Sequence, residues 1–191
     1  MLSFLEMLRL SAAVVLALAV TSGLRVFDLS NRPVDPLQQS AGTKAIVFLF
    51  TSTDCPISNR YAPEVRRLAQ TFGPRGVVFR LIYPGRADGP DAVRQHMAAF
   101  AYSGATEAYR DPDLALVKFT GATVTPEVAV VVGAKVVYRG RIDDRIVDFG
   151  LERAMPTVHD LGDALTAVLA GRPVAHPVTQ SVGCFIADLA R

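Results

Sequence analysis

Sulfur is scarce in this 191-residue chain, which has two cysteines, Cys55 and Cys184, and four methionines. Two cysteines far apart in the sequence exclude a zinc knuckle and a disulfide-dense miniature domain, and they allow a single intramolecular bridge. Tryptophan is absent, which constrains little. A surplus of either charge is also missing. The 20 Lys and Arg residues oppose 18 Asp and Glu for a formal net charge of +2, which gives no electrostatic basis for binding nucleic acid or an anionic membrane surface. There is no internal repeat, low-complexity tract or second domain. What the chain has is apolar mass. Half of its residues are hydrophobic, enough for a substantial core without disulfide staples. Its 12 prolines and 14 glycines suit a loop-bearing α/β domain of ordinary size.

Residues 1–23 read as a leader. Arg9 closes a short N-terminal region, Leu10 to Val20 are apolar apart from Ser11, and Thr21, Ser22 and Gly23 supply small residues for cleavage. This apolar run is shorter than the roughly 20 residues a membrane span requires. A cleaved signal peptide is the first reading. An uncleaved N-terminal anchor is the second, because Glu6 weakens the basic region, and a buried core helix is the third. No lipobox cysteine is present. Either of the first two readings places the rest of the chain in an exported, periplasmic or extracellular setting where disulfides persist.

Beyond the leader, Val26 to Leu29 is a short strand candidate, and Lys44 to Thr51 is an apolar run suited to a strand buried on both faces. Ile57, Tyr61, Val65, Leu68, Ala69 and Phe72 recur at helical spacing, and Gly73–Pro74 stops that helix. Gly76 to Tyr83 is the next strand, which completes a βαβ unit. Asp91 to Phe100 and Leu114 to Phe119 read as helical. Glu127 to Val132 and Lys135 to Arg141 form a hairpin around Gly133–Ala134. Thr157 is placed to cap a last helix over Val158 to Ala170, which ends at Gly171. Residues 172–191 form a tail. The chain thus divides into a leader (1–23), one α/β domain (24–171) and a C-terminal extension carrying Cys184.

Cys55 follows a buried strand and opens a helix. Unpaired backbone N–H groups and the positive end of the helix dipole favour a thiolate there; the alternative is an inert buried cysteine. A mixed disulfide or sulfenic acid on Cys55 needs a second thiol for its release, and Cys184 is the other cysteine of the chain. The tail is long enough to bring it back. A free Cys184 in an apolar Cys–Phe–Ile plug and a permanent structural bridge are the other readings, the last stabilising by loop closure.

The residues around Cys55 resemble a known pattern. Cys55–Pro56–Ile57–Ser58 looks like the Cys-x-x-Cys of thioredoxin-like proteins with serine at the second position. Pro63 stands eight positions after Cys55, as in thioredoxins and TlpA-like proteins, and Val124–Thr125–Pro126–Glu127 precedes the hairpin. The order of elements over residues 24–170 is similar to that of redoxin domains of the AhpC/TSA and TlpA type. Asp54 to Glu64, together with Tyr138 to Asp144 and the late Gly183–Cys184, resembles a group of exported bacterial redoxin-domain proteins. The resemblance implies a thioredoxin-like fold with a central mixed β-sheet flanked by helices. It implies Cys55 and Cys184 as the catalytic pair, with a cis-proline at Pro126 facing Cys55. Thr125, Pro126, Pro56 and Ser58 would line the substrate site. No metal and no cofactor is assigned, and the partner would be a thiol or disulfide-bearing protein or a small thiol.

Two departures keep alternatives open. Ser58 cannot resolve a disulfide. Phe48 and Ser52 stand where the peroxiredoxin pattern Pro-x-x-x-Thr-x-x-Cys has Pro and Thr, although the Ser52 hydroxyl could partly substitute. A thiol peroxidase acting on a hydroperoxide is therefore one alternative. A Sco-like copper carrier using Cys55, Cys184 and His96 is another, since thiolate and imidazole suit Cu(I), and a redoxin fold kept as an interaction module is the last. His176 travels with the tail, Arg60 is placed to add positive potential near Cys55, and Asp143–Asp144 reads as a solvated turn beside Arg139 and Arg141.

Overall fold

The computed structural model describes residues 23–102, 104 and 106–187. The leader therefore lies outside the described residues apart from Gly23. In chain order the elements are β1 (Val26–Phe27), β2 (Pro33–Val34), β3 (Ala45–Phe50), α1 (Pro56–Arg60), α2 (Ala62–Phe72) and a 3-10 turn (Gly73–Arg75). Then follow β4 (Val77–Pro84), α3 (Pro90–Ala99), β5 (Thr106–Asp111), α4 (Ala115–Thr120), β6 (Val124–Thr125), β7 (Glu127–Val132) and β8 (Lys135–Gly140). A small hairpin of β9 (Ile146–Asp148) and β10 (Leu151–Glu152), helix α5 (Asp160–Leu169) and β11 (Cys184–Phe185) complete the described chain. No helix among the described residues is long and apolar enough to cross a membrane.

The apolar run of β3 suits it to the interior of the sheet, whose order is β2-β1-β5-β4-β3-β7-β8. β3, β4 and β5 are parallel, with Ala45 opposite Val77 and Phe50 opposite Ile82, while β7 and β8 run antiparallel beyond β3. Alternation then sorts the side chains. Ala45, Val47 and Leu49 join one apolar layer with Val65, Leu68 and Phe72 of α2, Val93 of α3 and Leu161 and Leu165 of α5. Ile46, Phe48 and Phe50 join the other with Leu116 and Val117 of α4. The result is a central mixed sheet flanked by helices, as the resemblance implies.

Four local expectations need correction. The helix after Cys55 is two helices, α1 and α2, separated at Tyr61. Pro63 sits in the first turn of α2, where its missing N–H breaks no helical bond. Strand β5, Thr-Glu-Ala-Tyr-Arg-Asp, was not expected because its polar residues conceal a strand whose pairing with β4 and β1 supplies its burial. Thr157 does not cap α5; its N–H and hydroxyl both bond the Asp144 carboxylate, and the helix starts at Asp160. Asp143 and Asp144 are buried rather than solvated. Asp144 pairs with Arg153, while Arg141 pairs with Asp160 and Arg139 with Glu127.

After α5 the tail lies along the outer edge of β8. Arg139 N–H donates to the Pro177 carbonyl at 2.9 Å, and Thr179 N–H donates to the Arg139 carbonyl at 3.0 Å. Glycine is required at position 140 for this approach, since a Cβ there would stand 2.1 Å from the Thr179 hydroxyl oxygen and 2.5 Å from its carbonyl.

The buried carboxylate of Asp111 holds the start of α4, accepting the N–H groups of Ala115, Leu116 and Val117 at 2.8, 2.9 and 3.0 Å. Asp111→Ala leaves these three donors without a partner, with an expected loss of roughly 2–4 kcal/mol. Urea unfolding should show it as a lowered midpoint, with Asp111→Asn intermediate.

Candidate functional site

Cys55 is the residue just before α1, in extended backbone (φ −81°, ψ 107°), with Pro56 as the first helical residue. Strand β3 ends at Phe50, and the turn Ser52–Thr53–Asp54 carries the chain up to it. Only 1% of Cys55 is exposed. Its Sγ lies 3.0 Å from the Thr125 carbonyl oxygen and 3.0 Å from Cys184 Sγ; both cysteines are free thiols. The Thr125–Pro126 peptide is cis. The structure thus brings Cys55, Thr125, Pro126, Ser58 and Cys184 to one place, with Pro56 exposed beside them.

The tail reaches the site as a strand. β11 pairs antiparallel with β6, Cys184 opposite Thr125 and Phe185 opposite Val124. Gly183 lies against the Thr125 carbonyl, and Ile186 N–H donates to the Thr123 carbonyl at 3.0 Å. The proline loop is braced from below by Glu127, a buried carboxylate that accepts from Thr123 N–H at 2.7 Å and pairs with Arg139 at 3.0 Å.

The two sulfurs are electrostatically unequal. Burial alone would push the Cys55 thiol up, but hydrogen bonds from Cys184, from the Ser58 hydroxyl and backbone N–H, and from Thr125 outweigh it and hold its pKa below the ordinary value. The buried Ser58 hydroxyl is committed to no other group, which leaves it free to turn toward the Cys55 sulfur as a thiolate forms. Helix α1 is five residues long, so the dipole expected from the sequence is small and the donors carry the effect. Cys184 is pushed up to about 11, by burial first, then by the hydrogen bond and charge of Cys55 and the charge of Asp54. Cys55 is therefore the more acidic thiol of the pair and Cys184 the one that holds its proton more tightly.

A polar relay fixes the Cys55 loop from behind. Tyr83 donates its hydroxyl to His96 Nδ1 at 2.8 Å, and His96 Nε2 meets Asn59 Oδ1 at 2.7 Å. The Asn59 amide reaches the Thr53 carbonyl at 3.5 Å, and Thr53 bonds the buried Asp88 through its N–H and hydroxyl. Both ring nitrogens of His96 are thus engaged, which leaves neither for a copper ion with Cys55 and Cys184. Arg60 pairs with Glu152 at 3.4 Å, away from the role expected for it. Ser52 gives its hydroxyl to Asp54. His176 is exposed and borders a surface cleft with Val158 and Asp163 rather than the cysteine site.

Sequence reasoning missed Glu127, Asn59 and Asp88. Glu127 carried a signal, a lone carboxylate heading an apolar strand directly after a proline. Asn59 and Asp88 carried none, because their roles depend on loops that meet only in the folded chain.

No family model matches the sequence, and no curated protein matches it significantly. Solved structures do match its fold. An uncharacterized conserved protein from Geobacillus kaustophilus is 26% identical and has a TM-score of 0.73, the alignment covering 85% of this chain and 87% of that one. A hypothetical protein from Sinorhizobium meliloti is 22% identical, with coverage of 85% and 88% and a TM-score of 0.70. MTB DsbF, solved in mixed oxidized and reduced forms, is 18% identical, with coverage of 77% and 92% and a TM-score of 0.52. The fold is thioredoxin-like.

Two outcomes follow from the site's electrostatics. Alkylation by iodoacetamide, followed by peptide mass spectrometry across pH, should give Cys55 a midpoint below that of ordinary cysteine and Cys184 one near 11; Ser58→Ala should raise the Cys55 midpoint. Burial lowers the pKa of His96 below 6.5, with the charge of Asp88 opposing. The unfolded chain then binds the extra proton first, so stability contributed by neutral His96 is lost as pH falls below its unfolded value. Urea midpoints compared at neutral and mildly acidic pH should fall more in the wild type than in His96→Gln.

Proposed function

We propose that the protein is an exported thiol–disulfide oxidoreductase, with Cys55 as nucleophile and Cys184 as the resolving cysteine. The observation that carries this reading is the 3.0 Å approach of the two sulfurs beside the cis Thr125–Pro126 loop. The acidic thiol of the pair is the nearly enclosed one, and the proton-holding thiol comes from a tail strand that can arrive second.

In the reducing direction the Cys55 thiolate attacks one sulfur of a substrate disulfide. A Cys55–substrate disulfide forms, the substrate S–S bond breaks, and the departing thiolate takes a proton from water. Cys55 has then lost its negative charge and its acceptor role, two of the causes that hold Cys184 protonated. Cys184 gives its proton to solvent and attacks Cys55 Sγ, expelling the second substrate thiolate. Two electrons have moved from the cysteine pair to the substrate disulfide, and an external thiol reductant resets the Cys55–Cys184 bridge. The same steps in reverse place a disulfide in a substrate dithiol. No diffusible cofactor enters. The partner is a thiol or disulfide-bearing protein or a small thiol. Export rests on the leader read over residues 1–23 and on the persistence of such bridges outside the cytoplasm.

Mass spectrometry of protein purified without reductant should show a form lighter by two hydrogens that mild dithiothreitol converts to the dithiol. Cys184→Ser should accumulate mixed disulfides on Cys55, and Cys55→Ser should form neither species. A bridge that resists mild reductant and never exchanges with added thiols would overturn the proposal in favour of a structural staple.

A further inference from the structure

With the tail seated, the Cys55 sulfur is closed to any foreign disulfide, since only 1% of the residue is exposed and β11 lies along β6. Residues 183–186 must leave before Cys55 can meet a partner. The way they fit states what can take their place.

Three positions have distinct demands. At Gly183 there is no room for a side chain, because a Cβ would stand 2.2 Å from the Thr125 carbonyl oxygen and 2.7 Å from its carbon, both backbone atoms that cannot swing aside. Phe185 is 84% exposed, so its position accepts any residue. Ile186 is 6% exposed and belongs to the apolar layer with Leu114, Leu116, Val117 and Ala122. Its removal opens a void among those side chains and frees the Thr123 carbonyl. A segment that brings its own aliphatic residue and backbone N–H refills both.

We propose that the partner of Cys55 is an extended polypeptide segment of the pattern small residue, cysteine, any residue, aliphatic residue. It displaces residues 183–186 of the chain's own tail and pairs antiparallel with Val124–Thr125. The proposal rests on the disulfide-exchange reading above and adds the class of segment that the site selects. Backbone pairing supplies affinity, and the Gly183 and Ile186 positions supply selectivity. The tail is then an internal stand-in for the partner, and its return delivers Cys184 to resolve the mixed disulfide.

The test uses the full-length Gly183→Val/Cys184→Ser chain, in which the added side chain lifts the tail and the missing thiol lets adducts accumulate. The probes are peptides Ser-Val-Gly-Cys-Phe-Ile-Ala carrying glutathione on the cysteine. The Cys55 thiolate attacks the peptide sulfur and glutathione thiolate leaves, so intact mass spectrometry reads the Cys55–peptide disulfide. The parent peptide and its Phe→Ser form should react at similar rates. Its Gly→Val and Ile→Asp forms should react at least about tenfold more slowly, a difference of about 1.4 kcal/mol. Equal rates for all four peptides would overturn the selectivity while leaving exchange intact. No reaction with any peptide or with oxidised glutathione would overturn exchange itself, and this proposal with it. In a chain carrying only Gly183→Val, alkylation of Cys55 should rise at least about tenfold over wild type with an unchanged circular dichroism spectrum. An unchanged rate would show that the tail is not the cover. A wild-type dimer linked Cys55 to Cys184 would overturn the foreign partner in favour of a second copy's tail.

Discussion

The backbone of Thr125 stands between the two cysteines. Its carbonyl stands 3.0 Å from Cys55 Sγ, and its strand position lies opposite Cys184. The two cysteines start far apart, since one follows strand β3 and the other lies in the tail, and the pairing of β11 with β6 brings them together. The loop that carries β6 is itself held by Glu127, whose buried carboxylate accepts from Thr123 and pairs with Arg139. Arg139 in turn bonds through its backbone to Pro177 and Thr179 of the tail. One small strand, one carboxylate and one arginine thus connect the proline loop, the sheet edge and the tail, so any change at Glu127 acts on both sulfurs at once.

The central strands and the cysteine–proline frame were legible because their signals are local and strong. Ala45 to Phe50 is an unbroken apolar run, Gly133–Ala134 marks a hairpin, and a cysteine between strand and helix is visible from spacing. What stayed hidden depends on contacts across the fold. Strand β5 reads as polar because its edges are covered by other strands rather than by its own residue types. Thr157 looks like a cap, yet its hydroxyl is drawn to the buried Asp144, which accepts three hydrogen bonds, from Thr157 N–H, its hydroxyl and Val158 N–H. Gly183 looks like a mere flank of Cys184, and only the 2.2 Å approach of its absent Cβ to Thr125 shows why a side chain is excluded.

The cysteines also illustrate how environment divides labour between identical side chains. Cys55 is the more buried, and burial by itself would keep it neutral. Donors from Ser58, Thr125 and Cys184 reverse that order. The relay from Tyr83 through His96 and Asn59 to Thr53 touches neither sulfur, yet it sets where the loop before Cys55 sits. Precision at the sulfur is thus supplied by groups on β4 and α3, far from it in sequence.

The clamp of Thr179 against Gly140 limits how far the tail can travel. Five residue steps lead from Thr179 to Cys184, which at full extension span roughly 17 Å. A thiol on so short a tether never diffuses away. Its local concentration at Cys55 stays in the millimolar range or above, whatever the dilution of the protein. In the proposed exchange the second half is then insensitive to protein concentration, and only the encounter with the partner depends on abundance.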